Sequence, residues 1–240
     1  MRKSAVMFLP LASACIAALL FNACRDITFN NPLDPDASRA NLTIQNVFST
    51  QVSGPGDICF DGEKIWKASD RGNATAFDTE SGATIRSFLF APSNGIAFLN
   101  RRLYLCGQEN QINVFDPLSG TLITRISTAE IYPRLLAAGM DELLVFDSRS
   151  ESVFTLDPES LEIRRLFQLP GLETGGMEFF GDSLLVSDLS SNALYRLTLA
   201  GSVEDVFRSP LESTAGVCKD DRGFLYLMSL NGQVAKVTLP

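Results

Sequence analysis

An all-β, five-bladed β-propeller is the fold this sequence predicts, on three observations. About 200 residues, 41–240, repeat with a period near 40. Within each repeat, apolar residues alternate at period 2 rather than 3.6. The first strand of the region also has the spacing of a strand that the last repeat lacks.

The repeat is fixed by five apolar segments beginning at Ile65, Leu103, Leu143, Leu184 and Leu225, spaced by 38, 40, 41 and 41 residues. Each unit opens with a short strand around Ile58, Ile96, Leu136, Met177 or Val217, and Gly95, Gly176 and Gly216 stand before three of these. The apolar segment is the second strand, from Ile65-Trp66-Lys67-Ala68 in the first unit to Leu225-Tyr226-Leu227-Met228 in the last. A polar loop leads to an alternating third strand such as Ile112-Asn113-Val114-Phe115-Asp116, and a turn such as Leu118-Ser119-Gly120 follows. The fourth strand carries Phe88, Ile126, Phe167 or Phe207. Four strands in about 40 residues, joined by short turns, make one propeller blade.

The two ends of the region complement each other. The last unit stops at Pro240 after its third strand, and an orphan strand, Leu42–Phe48, precedes the first unit. Phe48 lies 9 residues before Asp57, as Ile126 lies 9 before Leu135, Phe167 before Gly176 and Phe207 before Gly216. The orphan strand is therefore expected to complete the last blade, removing the open edges of a linear array.

Composition excludes several function classes. At 45% hydrophobic and 20% charged, the chain is not disordered. Its formal charge of −8 disfavours binding to nucleic acid, which runs on clustered positive charge. The absence of histidine removes Ser-His-Asp and Cys-His nucleophiles, imidazole bases and His-ligated zinc. Gly54-Pro55-Gly56 precedes a strand rather than a helix, so it is not a phosphate loop.

Arg2 and Lys3 followed by the apolar run Ala5–Phe21 read as a secretory signal, residues 1–23. Leu20-Phe21-Asn22-Ala23-Cys24 resembles the lipobox of bacterial lipoproteins, although Phe21 and Asn22 depart from the usual pattern. The resemblance implies lipidation of Cys24, and Arg25 resembles the second residue of lipoproteins sent to an outer membrane. Residues 24–40, with Asn30-Asn31-Pro32-Leu33-Asp34-Pro35-Asp36, form the expected tether. Loss of residues 1–23 removes two basic residues and no acid, deepening the charge to −10, so acyl chains rather than headgroup attraction would hold the domain at a membrane.

Residues 41–240 resemble bacterial propellers of the YVTN, NHL and gluconolactonase-like types, as in Gly95-Ile96-Ala97-Phe98-Leu99-Asn100-Arg101-Arg102-Leu103-Tyr104-Leu105. The resemblance implies architecture more than activity, since the fold serves scaffolds, lectins, lyases and hydrolases. The leading expectation is a monomeric, non-catalytic envelope module that presents a face to a protein, peptide or glycan. The alternative is a metal-dependent hydrolase or lactonase using channel carboxylates.

Ligands of propellers dock where loops enter the innermost strands and join second to third strands. The repeat assigns Asp57, Asp70, Gln108, Asp147, Glu173, Asp188 and Asn192 to that face. Asp70, Asp147 and Asp188 follow second strands of three blades; they either converge on a Ca2+ or cap their own turns. Glu178 occupies a position that is Cys59, Ala97, Ala137 or Cys218 in the other units. A carboxylate there must face a channel or meet a partner, since burying it alone is costly. Cys59, Cys106 and Cys218, odd in number, are expected as buried free thiols, and Trp66, Tyr104 and Tyr226 as packing between blades.

Overall fold

The structure is a computed structural model that describes residues 39–240, apart from 108, 109, 140 and 170. The expected leader, Cys24, most of the tether and Gln108 lie outside the described residues. From Ser38 to Pro240 the chain is one compact unit.

Five sheets follow one another as blades, each with four antiparallel strands running from an innermost to an outermost one. Blade one comprises Ile58–Phe60, Ile65–Ala68, Asn73–Phe77 and Thr84–Leu89; blade two Ile96–Leu99, Arg102–Cys106, Gln111–Phe115 and Leu122–Ser127. Blade three comprises Pro133–Gly139, Glu142–Asp147, Ser152–Leu156 and Ile163–Gln168; blade four Thr174–Phe180, Ser183–Asp188, Ala193–Thr198 and Val203–Arg208. Blade five takes Thr214–Lys219, Leu225–Ser229 and Gln233–Thr238 from the end of the chain and Thr43–Ser49 from its beginning. Thr43 pairs with Thr238 and Ser49 with Gln233, antiparallel, so the predicted closure is present. Each inner strand packs on the inner strand of the next blade, and the fifth packs on the first.

Second strands are buried on both faces because each blade is covered on either side by a neighbour. Trp66, Tyr195 and Tyr226 are the largest fully buried side chains, and Tyr104 is buried as well. A register shift recurs between third and fourth strands of all five blades. Such bulges increase local twist, which turns each outer strand away from the plane of the inner ones.

Two features at the seam go beyond the sequence expectation. Ala40–Asn41 pairs in parallel with Phe207–Arg208, adding a fifth strand to blade four. Its anchors are Leu42, buried with Phe207 and Leu211, and Arg39, whose Nη1 donates to the Ser191 carbonyl at 2.7 Å. Ala40 falls within the expected tether because this stretch has no apolar alternation to mark a strand. Across the seam, Lys236 Nζ meets Glu80 Oε1 at 2.7 Å, tying blade five to blade one.

Candidate functional site

The axis of the ring is built around Asp57, which has no exposed surface. Its Oδ1 accepts from the Ile58 amide at 2.8 Å and the Val217 amide at 3.0 Å, and its Oδ2 accepts from the Met177 amide at 2.8 Å. Its own amide donates to the Asn94 carbonyl at 2.6 Å. One residue thus joins blade one to blades four and five and to the strand entrance of blade two. Burial pushes the Asp57 carboxyl well up, against the pull of the three amides and of Lys67. Sequence reasoning placed Asp57 on the ligand face, but its oxygens are engaged inside the ring.

Lys67 was not singled out from sequence. It has no exposed surface, and its Nζ donates to the carbonyls of Gly54 at 3.0 Å and Gly56 at 3.1 Å. Burial brings its ammonium down to about 8, opposed by Asp57 and Asp70. The available signal was positional, since the equivalent residues Leu105, Val145, Val186 and Leu227 are all aliphatic.

The glycines before inner strands are explained by the narrowness of a five-membered ring. A Cβ on Gly176 would lie 2.5 Å from Asp57 Oδ1 and 2.7 Å from the Gly216 Cα. On Gly95 it would lie 2.6 Å from both the Arg134 carbonyl oxygen and Cys106 Sγ. At Gly95 and Gly176 the neighbouring inner strands come so close that a side chain would clash with them.

On the loop face, where strands enter the blades, the carboxylates hold loops. Asp147 accepts from the amides of Tyr132 at 2.9 Å, Arg149 at 3.2 Å and Ser150 at 3.2 Å, and from the Ser150 hydroxyl at 2.6 Å. Burial raises its carboxyl, but the Ser150 hydroxyl and these amides prevail and hold it below the usual range. Asp188 repeats the arrangement one blade on, accepting from the Glu173 amide at 2.9 Å and from both Ser190 and Ser191. Asp70 and Glu173 are exposed, and Asn192 sits in the left-handed region at φ 52°. Of the two readings open for Asp147 and Asp188, turn capping is the one their geometry matches. Among the described residues, no group of three or more Asp, Glu or Cys could hold a metal ion.

Glu178, also a candidate for the ligand face, instead opens toward the other end of the axis, the hairpin face, where first strands turn into second strands. Strand register makes the inferred equivalence concrete: Cys59, Ala97, Ala137, Glu178 and Cys218 pair with Trp66, Tyr104, Leu144, Leu185 and Tyr226, each the second residue of its apolar segment. They form one ring of positions, and Glu178 is its only charged member. The axial cavity here measures about 240 Å³, and Cys59, Ala97, Ala137, Glu178, Phe179 and Lys219 are among its lining residues. Glu178 is half-buried because this cavity reaches it. Burial still raises its carboxyl to about 8, against the nearby Lys219 charge. Lys219 Nζ lies 5.3 Å from the centre of the Phe180 ring. Cys59 and Cys218 are free and buried, and burial pushes both thiols up, with Glu178 adding to the effect.

A larger cavity, about 690 Å³, lies on the loop face at the rim between blades two and three. Asn110, Gln111, Arg125, Ser127, Tyr132 and Arg149 line it. None of these six residues was a sequence candidate. A signal was present only in part, as an arginine in the loop that follows a second strand.

Ring, seam and axis together define a five-bladed β-propeller closed by its own N-terminal strand. No family profile matches the chain, and no curated protein matches it in sequence. Among solved structures it is similar to the glutaminyl cyclase of Myxococcus xanthus, with TM-score 0.71 and 12% identity over 83% of this chain and 97% of that one. It also matches BamB from Moraxella catarrhalis with TM-score 0.45 and 16% identity, over 85% of this chain and 62% of BamB. The first likeness shows the propeller fold.

Proposed function

We propose that this chain is a non-catalytic recognition module, lipid-tethered through Cys24 to the bacterial cell envelope, at the outer membrane, and that it works as a monomer presenting its loop face to a partner. The observation that carries the reading is the use of Asp147 and Asp188. Each fixes a loop through several hydrogen bonds, so the loop face of blades three and four is preformed and a partner need not order those loops on binding. The 690 Å³ cavity on that face falls in the size range of small-ligand sites. The lipobox-like segment, Arg25 and the Pro-rich tether support the anchoring.

The test has two arms. Cys24→Ser should move the protein from the membrane fraction to the soluble fraction; unchanged retention removes the anchoring. Immobilised wild-type propeller should retain an envelope component that Ser148→Trp, on the loop face, no longer retains, whereas Leu118→Trp, on the hairpin face, behaves as wild type. Equal retention by all three removes the loop-face reading.

A second reading rests on Glu178. The scaffold aligns over 97% of a glutaminyl cyclase, and a carboxyl held near 8 in an axial cavity suits proton transfer near neutral pH. In cyclisation of an amino-terminal glutamine, the α-amine attacks the side-chain amide carbon and ammonia leaves. Glu178 would pass the proton from the amine to the ammonia. Ammonia release from a Gln-Ala-Ala peptide, lost in Glu178→Gln, tests it; no release by the wild type removes it.

A further inference from the structure

We infer that the rim cavity between blades two and three binds an acidic sugar, with Arg125 and Arg149 holding the carboxylate of a uronic acid unit. The inference rests on the loop-face reading and supplies its ligand class.

The chemistry of the lining selects the ligand. Its six residues offer two guanidinium groups, two carboxamides, one aliphatic hydroxyl and one phenol, and no aliphatic side chain. Such a wall does not hold an apolar ligand; it matches a ring bearing hydroxyls and an anionic group. Among the described residues the lining has no carboxylate, on a chain whose acids outnumber its bases 28 to 20. A densely charged polyanion would meet repulsion from the rest of this surface, whereas a ligand with one charge per ring engages the local positive site alone.

The fold prepares the two arginines. Arg125 and Ser127 are two apart on the outer strand of blade two, so both point to one side, and Gln111 pairs directly with Ser127. Arg149 comes from the next blade. Its amide donates to Asp147 Oδ1 at 3.2 Å, and its guanidinium carbon lies 3.2 Å from the centre of the Tyr132 ring. Stacking fixes the guanidinium plane and leaves its N–H edge for a carboxylate, which a planar fork binds through two hydrogen bonds. The Asp147 cap holds both the Tyr132 and Arg149 amides and so keeps the two backbones that carry ring and guanidinium together.

The experiment is calorimetric titration of the propeller with trigalacturonate, with maltotriose as the uncharged control and triaspartate as the acidic peptide control. Trigalacturonate should bind, and maltotriose and triaspartate should bind at least about tenfold more weakly, the loss expected for one charged hydrogen bond. Arg149→Lys keeps the charge but loses fork and stack, and should weaken trigalacturonate about tenfold; Arg125→Gln should do the same. The thermal midpoint of both variants should match the wild type, which separates lost binding from lost folding. Equal binding of maltotriose, tighter binding of triaspartate, or full affinity in the Arg125→Gln, Arg149→Lys double variant overturns the proposal. If trigalacturonate fails while Ser148→Trp still abolishes envelope retention, the ligand class is wrong and the loop-face reading stands. If both fail, the loop-face reading falls with it.

Discussion

Glu178→Gln should make this protein more stable, and only above mildly acidic pH. The carboxyl is held near 8 in the folded ring against 4.5 ordinarily, chiefly because burial disfavours its charge. A group whose folded value is raised binds its proton more tightly in the native state. Its stabilising contribution is therefore complete below about pH 4.5 and is lost as pH rises through about 8. At 1.36 kcal/mol per pH unit the full loss is about 5 kcal/mol. Water reaching the half-buried side chain through the axial cavity reduces this to about 2–3 kcal/mol. Glutamine keeps the shape and never ionises. Wild type and variant should melt together at pH 4.5, and at pH 8.5 the variant should melt about 5–10 °C higher, at the 2–4 °C per kcal/mol expected for this chain length. Lys67 does not confuse the window: its folded value is lowered to about 8, so its effect, a rise in stability with pH, falls between about 8 and 10.5 and is common to both proteins. Thermal melts by circular dichroism at half-unit intervals from pH 4.5 to 8.5 give the comparison. Parallel curves across that range would refute an ionisation cost at Glu178.

Three other perturbations probe the ring. Asp57→Asn leaves one oxygen for three amides and should cost about 2–4 kcal/mol in urea unfolding at pH 7; a loss under 1 kcal/mol would mean the clamp is not needed for closure. Gly176→Ala sets a methyl 2.5 Å from Asp57 Oδ1 with backbone behind it, and should lower stability in urea unfolding by about 3 kcal/mol or more, whereas Gly223→Ala, with open space around its Cβ and only the backbone strain of φ 85° to bear, should cost about 1 kcal/mol. Deleting residues 41–49 removes the outer strand of blade five and should give unfolded or oligomeric protein by size-exclusion chromatography; a monomer with the wild-type melting point would contradict closure by that strand.

The propeller was legible in the sequence because its signals are periodic. Spacing fixes the blades, alternation fixes the faces, and the distance from Phe48 to Asp57 fixes the seam. Glu178 was legible for the same reason, as one carboxylate in a column of small residues. The column does not tell which mouth of the axis it faces, since that depends on where along the strand the ring narrows. Asp57, Asp147 and Asp188 look alike in sequence, yet one clamps the axis and two cap loops. What separates them is where the amides come from: Asp57 draws on Met177 and Val217, 120 and 160 positions away, whereas Asp147 and Asp188 draw on residues no more than 15 positions away. The Ala40–Asn41 strand is too short to show alternation, and the cavity of Arg125 and Arg149 joins two blades that no local motif links.

Pairing Thr43–Ser49 with Gln233–Thr238 bears on the order in which the protein can be made. Thr43–Ser49 emerges before blade one, yet waits for the last described strand before it has a partner. Until then blade five lacks its outer strand. The ring consequently stays open through most of its synthesis and gains its final stability in one late step.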